Sequence, residues 1–198
     1  MRRANDFYPT PEFATRELLA RFPHIGGNII ECCAGDGAIS QILATGSRLS
    51  TVFNNDIDIT RGWSFHEDAS RDEGWQEIGR RTNADWVVTN PPFNQAALIV
   101  PLAFDFARVG IAMLLRLSFL EPVEDRGAWL NVMPPTDLIV LPRISFTGDG
   151  KTDSVTCAWM IWEKGKRGTI RVAQNPRFAI QPNGHIDSRI DGSLLEFE

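Results

Sequence analysis

Apolar positions along the chain alternate between helical and strand-like spacing. Ala14, Leu18 and Phe22 fall at i, i+4 and i+8, one face of a helix. Thr10 is its candidate N-cap, Pro11 fits the first helical position, and Glu12 suits the positive end of the dipole. A compact apolar run over 28–32 then reads as a strand, followed by the turn Ala34-Gly35-Asp36-Gly37 and a helix over 38–44. A second strand spans 51–55 and ends at Asp56, a short third is expected over 62–66, and a fourth covers 85–89. Residues 95–108 have helical spacing, with Pro101 expected to kink them. Residues 109–117 are almost wholly apolar, as a strand buried on both faces must be. A helix over 124–132 is stopped by Pro134-Pro135, and 137–141 and 154–162 form the arms of a strand pair. The last thirty or so residues read as short extended pieces and turns. Strands and helices in alternation predict an α/β fold with a mostly parallel sheet.

At 198 residues the chain suits one domain, residues 1–198, with no separate recognition domain. No apolar run is long enough to span a membrane, and no apolar segment follows Met1-Arg2-Arg3, so a secretory leader is not expected. The three cysteines lack C-x-x-C spacing, and Cys32-Cys33 sit side by side. They read as small buried thiols of a reducing compartment, such as a cytoplasm. His24, His66 and His185 are scattered, which gives no ligand spacing for a metal. The net charge of −5 argues against nucleic acid as a whole, yet residues 143–177 carry seven basic and three acidic side chains. That segment is either a nucleic-acid footprint or a solvated face.

The chemistry gathers at strand ends. Asn90-Pro91-Pro92-Phe93 follows the strand over 85–89. Two prolines fix φ and remove two donors, which leaves carbonyls facing outward. The Asn90 side-chain carbonyl and the Pro91 carbonyl can both accept from one exocyclic amino group, with the Phe93 ring beside them. Such a site suits a planar base carrying an NH2. Gly35-Asp36-Gly37 opens a helix, where backbone can approach a ligand. Ser40 stands where a dinucleotide fingerprint has its third glycine, which counts against a nicotinamide or flavin reading. Glu31 ends the first strand and suits an ammonium; Asp56, or alternatively Asp58, ends the second and suits a ribose hydroxyl pair. S-adenosyl-L-methionine has both ends. A cytosine C5 mechanism would need a thiolate nucleophile, and none of Cys32, Cys33 and Cys157 has the Pro-Cys setting.

Together these motifs resemble the S-adenosyl-L-methionine-dependent amino-methyltransferases of DNA, in particular the compact phage-type DNA N6-adenine methyltransferases with an Asn-Pro-Pro-Phe motif. The resemblance covers most of residues 7–165. It implies a Rossmann-like fold with a mostly parallel seven-stranded sheet, helices on both faces and a terminal antiparallel strand pair. It implies cofactor contacts from Tyr8, Thr10 and Pro11 of the N-terminal motif, from Glu31, Cys32, Ala34, Gly35 and Gly37 of the glycine loop, and from Asp56, Ile57, Asp68, Ala69 and Asn90. Asn90, Pro91, Pro92 and Phe93 would be catalytic, and Phe93, Phe119, Arg143 and Phe146 would meet the substrate, although Phe146 reads equally as a core residue. Glu31 stands where Asp is commoner in the family, with charge unchanged.

The expected reaction moves the sulfonium methyl to adenine N6 of a base flipped out of DNA. The same motif serves RNA adenine, cytosine N4 and protein glutamine amides, and a catalytically silent binding module is a further alternative. Without a target-recognition domain, a second copy of the chain or a partner would have to supply selectivity.

Overall fold

The computed structural model describes residues 9–46, 50–144, 155–168 and 170. Its elements in chain order are α1 (Glu12–Arg21), β1 (Gly27–Glu31), α2 (Ala38–Gly46), β2 (Ser50–Asn54), α3 (Asp72–Thr82), β3 (Trp86–Thr89), α4 (Ala96–Phe106), β4 (Gly110–Arg116), α5 (Glu124–Val132), β5 (Asp137–Val140) and β6 (Cys157–Glu163). Among the described residues the sheet has six strands in the order β2-β1-β3-β4-β6-β5. The first four are parallel, and β6 runs antiparallel between β4 and β5. It is a mixed α/β sheet of the expected kind.

The central strands alternate apolar residues between two cores, because successive side chains point to opposite faces. Ile30, Val87, Ile111, Met113, Leu115, Met160 and Trp162 face one core, which Trp75 and Ile78 of α3, α4 and Leu130 of α5 cover. Ile29, Trp86, Val88, Ala112, Leu114, Trp159 and Ile161 face the other, against Ala14 and Leu18 of α1 and Ile39 and Leu43 of α2. All seven positions of β6 are buried. Its two indoles reach opposite layers: Trp159 Nε1 donates to Ala14 O at 2.7 Å and Trp162 Nε1 to Met133 O at 2.9 Å. Each aromatic thus buries its body and satisfies its donor.

Three sequence expectations are corrected. Residues 62–66 form no strand. They make a single bridge, Asn55 to Phe65, because the buried Asn55 amide does the ladder's work: its Nδ2 donates to Cys32 O and Glu67 O, and its Oδ1 accepts from Glu67 N. Helix α3 went unpredicted. Its buried side is small, with Gly74, Trp75, Ile78 and Thr82, so the apolar spacing is faint; its ends are marked by Asp72 and Glu73 in the first turn and Arg80 and Arg81 in the last, as the dipole favours. Thr10 is not the N-cap of α1. Pro11 holds that position without a side-chain bond, and Thr10 is turned inward. Helix α4 runs unbroken through Pro101; the proline removes the donor for Ala97 O, and Ala97 is exposed, where water can replace it. Among the described residues no helix is long and apolar enough to cross a membrane.

From β1 the chain passes through α2 to β2 on one side, then through α3 to β3 on the other side of β1. The strand order reverses there, so a crevice opens beyond the carboxyl ends of β1 and β3, the place where open α/β sheets bind ligands.

Candidate cofactor and acceptor site

Beyond β1 the backbone turns through Gly35 (φ 54°) and Gly37 (φ 79°) into α2, left-handed values that favour glycine. The loop is tied to the end of β2. Gly35 N donates to Asp56 Oδ2 at 2.7 Å, Asp58 N to Asp56 Oδ1 at 2.9 Å, and Ala34 N to Asn55 O at 2.9 Å. Trp63 closes it from outside. Its Nε1 donates to Gly35 O at 3.0 Å, and a Cβ on Gly37 would stand 3.0 Å from its ring, closer than the indole could tolerate without shifting.

Glu31 is 2% exposed, and burial pushes its carboxyl up to about 8 despite the bonds it accepts from Ser40. Ser40 N donates to Glu31 Oε2 at 2.8 Å, and the Ser40 hydroxyl lies within hydrogen-bond reach of both Glu31 Oε2 and Asn54 Oδ1. A hydroxyl has one proton to give. Its proton therefore serves one of the two acceptors at a time. No cation contacts Glu31 among the described residues. Next to it the thiols of Cys32 and Cys33 lie 4.0 Å apart, and the contact with Cys32 together with burial pushes the Cys33 thiol up.

Across the crevice, Asn90 Nδ2 donates to Thr10 Oγ1 at 3.1 Å, which fixes the amide plane and turns its carbonyl the opposite way. Pro91 is buried and Pro92 O accepts from Gln95 N at 2.9 Å, closing the turn into α4. Cys33 N donates to Thr89 Oγ1 at 3.2 Å, which ties the exits of β1 and β3 together. The Arg116 guanidinium lies 4.4 Å from the centre of the Phe93 ring. Asp68 Oδ1 accepts from Ser70 N and Oγ at 2.9 and 2.6 Å, and the hydroxyl bond above all holds its carboxyl below the usual range. Ala69 O accepts from Trp75 Nε1 at 2.8 Å.

These groups surround one cavity of about 260 Å³. Thr10, Glu31, Cys32, Ala34, Gly35, Asp56, Ile57, Asp68, Ala69 and Asn90 to Phe93 all line it, as does the alternative acid Asp58. Pro11 and Gly37 are not part of the wall. Phe119 is not part of the cavity wall. It is 5% exposed, sits in a core and carries Arg126 5.2 Å from its ring centre. Arg143 is exposed and outside the cavity wall, while Tyr8 and Phe146 lie outside the described residues. Ser40, Trp63 and Arg116 went unread as site residues. Arg116 could have been found: it is a lone charge closing an apolar strand at its carboxyl end.

No family model and no curated protein matches the sequence. Solved structures do. PH1948 of Pyrococcus horikoshii, named for a proposed RNA methyltransferase activity, superposes with a TM-score of 0.56 at 16% identity, over 80% of this chain and 87% of that one. The modification subunit of a proposed type I restriction enzyme from Vibrio vulnificus gives 0.58 at 13% identity, over 82% of this chain and 45% of that one. The type IIG restriction endonuclease BpuSI gives 0.57 at 12%, over 82% and 26%. The fold is the Rossmann-like class I methyltransferase fold. The chain spans less than half the length of the latter two proteins.

Proposed function

We propose that this protein is an S-adenosyl-L-methionine-dependent methyltransferase acting on an exocyclic amino nitrogen, with adenine N6 in DNA as the acceptor. The observation that carries the reading is the sharing of one cavity by Asn90-Pro91-Pro92-Phe93 and the Glu31, Gly35 and Asp56 cluster.

The residues fit such a cofactor. Glu31 is a buried carboxyl with no cation of its own, a partner for an ammonium. Each Asp56 oxygen accepts one backbone N–H and has a lone pair left for a ribose hydroxyl. When bound, the cofactor supplies an electrophilic methyl group on a sulfonium.

The chain's own residues prepare the acceptor. A ring-conjugated amino group is a poor nucleophile because its lone pair is delocalised. The carbonyl oxygens of Asn90 and Pro91 accept its two hydrogens and draw the nitrogen toward tetrahedral geometry, localising that pair. Their attraction grows as positive charge develops on nitrogen, so it favours the transition state over the ground state. Thr10 holds the Asn90 amide in the required orientation, and Phe93 offers an apolar face to the base. No strong general base is needed, since the methylated ammonium loses its proton to solvent. A base within a duplex cannot reach the cavity, so flipping is part of the reading.

The test is transfer of label from tritiated S-adenosyl-L-methionine into separate pools of DNA, RNA and protein, with single-base mapping of the modified nucleotides. Label in DNA adenine supports the proposal. Label in RNA, in cytosine or in protein alone replaces the acceptor, and failure to bind the cofactor by calorimetry overturns the enzyme reading in favour of a binding module.

A further inference from the structure

Arg116 is the last residue of β4, whose first six positions are buried. Thr89, the end of β3, pairs with Met113, so Arg116 extends three residues past that pair toward the carboxyl edge of the sheet, where Asn90 to Phe93 leave β3. Its guanidinium rests 4.4 Å from the centre of the Phe93 ring, and Phe93 lines the cavity.

Three arginines are half-buried among the described residues: Arg61, Arg116 and Arg126. Arg61 pairs with Asp58 at 3.4 Å. Arg126 donates to the carbonyls of Ser118 and Glu121 at 3.3 and 3.1 Å. Arg116 alone of the three meets no oxygen acceptor among the described residues. A partly desolvated charge is ordinarily paired, and a guanidinium stacked on a ring keeps its five N–H donors in plane, directed past the ring's edge. That fork matches a phosphate. A nucleic-acid acceptor whose base reaches Phe93 must bring its own backbone phosphates to the same rim. In a chain of net charge −5, the placement of one unpaired arginine there matters more than the total.

We propose that Arg116 is the phosphate grip of the acceptor subsite, pairing with a backbone phosphate beside the reacting nucleotide; this rests on the reading of the acceptor as nucleic acid. The contact positions the acceptor, and Phe93 holds the guanidinium in place for it.

The experiment uses the intact protein and DNA oligonucleotides containing the mapped target adenine. In one set the linkages flanking that adenine are neutral methylphosphonates. For the wild type, the neutral linkages are expected to raise KM roughly tenfold, the scale of a charge-assisted hydrogen bond, and to flatten log KM against log salt by about one unit. Arg116→Gln is expected to raise KM for ordinary DNA by a similar factor, to flatten the slope likewise, and to gain nothing further from the neutral linkages. Arg116→Lys should restore the slope and part of KM, and cofactor affinity should stay at the wild-type value in both variants. Neutral linkages without effect on the wild type overturn the proposal, whether or not the Gln variant folds. A Gln variant with lowered kcat but unchanged KM and slope also overturns it, and makes Arg116 a prop for Phe93. If the wild type labels protein and no nucleic acid, the acceptor reading falls and this inference with it; if it labels nucleic acid while Arg116→Gln matches it throughout, only the inference falls.

Discussion

Two glutamates, both nearly sealed from solvent, sit at opposite ends of the sheet and have opposite surroundings. Glu163 ends β6 at the amino edge of the parallel strands, 5% exposed, and is met by both His24 and Lys166. Those partners hold its carboxyl below the usual range in spite of desolvation, and Glu163 in turn holds the Lys166 ammonium above its own. Glu31 ends β1 at the carboxyl edge, 2% exposed, and meets a hydroxyl and a backbone N–H but no cation. Burial therefore pushes it up to about 8. The amino edge completes its own charge pairing; at the carboxyl edge no cation meets Glu31 among the described residues. Arg116 repeats the lesson with the sign reversed. Under the proposed function, an acid lacking a base and a base lacking an acid are what a site for an ammonium and a phosphate presents.

The sharpest break of this contrast comes from the neutral donor set between the two. Asn90→Ala removes one of the two carbonyls proposed to hold the amino group, and transfer is expected to fall by about a hundredfold or more, the scale seen when one oriented polar group is lost from a transition state. Calorimetry on the same variant should still find cofactor binding, since the carbonyl removed is the one proposed to act on the acceptor; unchanged label transfer would refute its role.

Next in size is Glu31→Gln. Above pH 8 it should weaken cofactor binding by roughly tenfold through loss of a charged partner. It should do the reverse to the fold. Between the usual glutamate range and about 8, the folded chain holds a proton that the unfolded chain has released, so wild-type stability falls as pH rises through that window. Thermal melts from pH 5 to 9 should show the Gln variant gaining on the wild type over that span. Parallel curves would mean that Glu31 is ionised in the empty site.

A related and smaller effect is proton release. If an ammonium ionises Glu31 on binding, calorimetry near pH 7 in buffers of different ionisation enthalpy should detect up to one proton lost per cofactor, and none for Glu31→Gln. Buffer-independent heats for the wild type would sever the link between the raised carboxyl and the ligand.

The smallest change belongs to the other end. Glu163→Gln should cost roughly 2 kcal/mol of stability near neutral pH, as for a hydrogen-bonded charge deprived of its partners, with cofactor binding and transfer unaffected. The wild type's advantage should be full above the ordinary glutamate range and vanish as pH falls through the lowered value of the folded state. A loss of activity without a loss of stability would erase the distinction between the two edges.

Most of the sheet was legible because its strands are apolar on both faces and their ends carry the polar motifs: Asp85 to Thr89 with Asn90, and 28–32 with Glu31, are strong signals in any order of reading. The antiparallel pair was legible from its two apolar arms. Where the sequence misled, a side chain had taken over a backbone task. Asn55 bonds Cys32 and Glu67 in place of a ladder, so 62–66 need not be a strand; Thr10 looks like a helix cap but spends its hydroxyl on Asn90. Both are long-range bonds that local pattern cannot carry. Helix α3 was hidden because its core side includes Gly74 and Thr82, which apolar periodicity does not register. Phe119, which the family resemblance places at the substrate, is buried in a core.

Trp63 gives the glycine loop an optical reporter. Four of the six tryptophans, Trp75, Trp86, Trp159 and Trp162, are sealed in the two cores, whereas Trp63 is half-buried with its indole N–H on Gly35 O. Its emission should lie on the long-wavelength side of the spectrum and respond when the loop is loaded. With Trp63→Phe as the blank, a plain fluorescence titration could follow occupancy of the crevice in real time, with no label attached to protein or ligand.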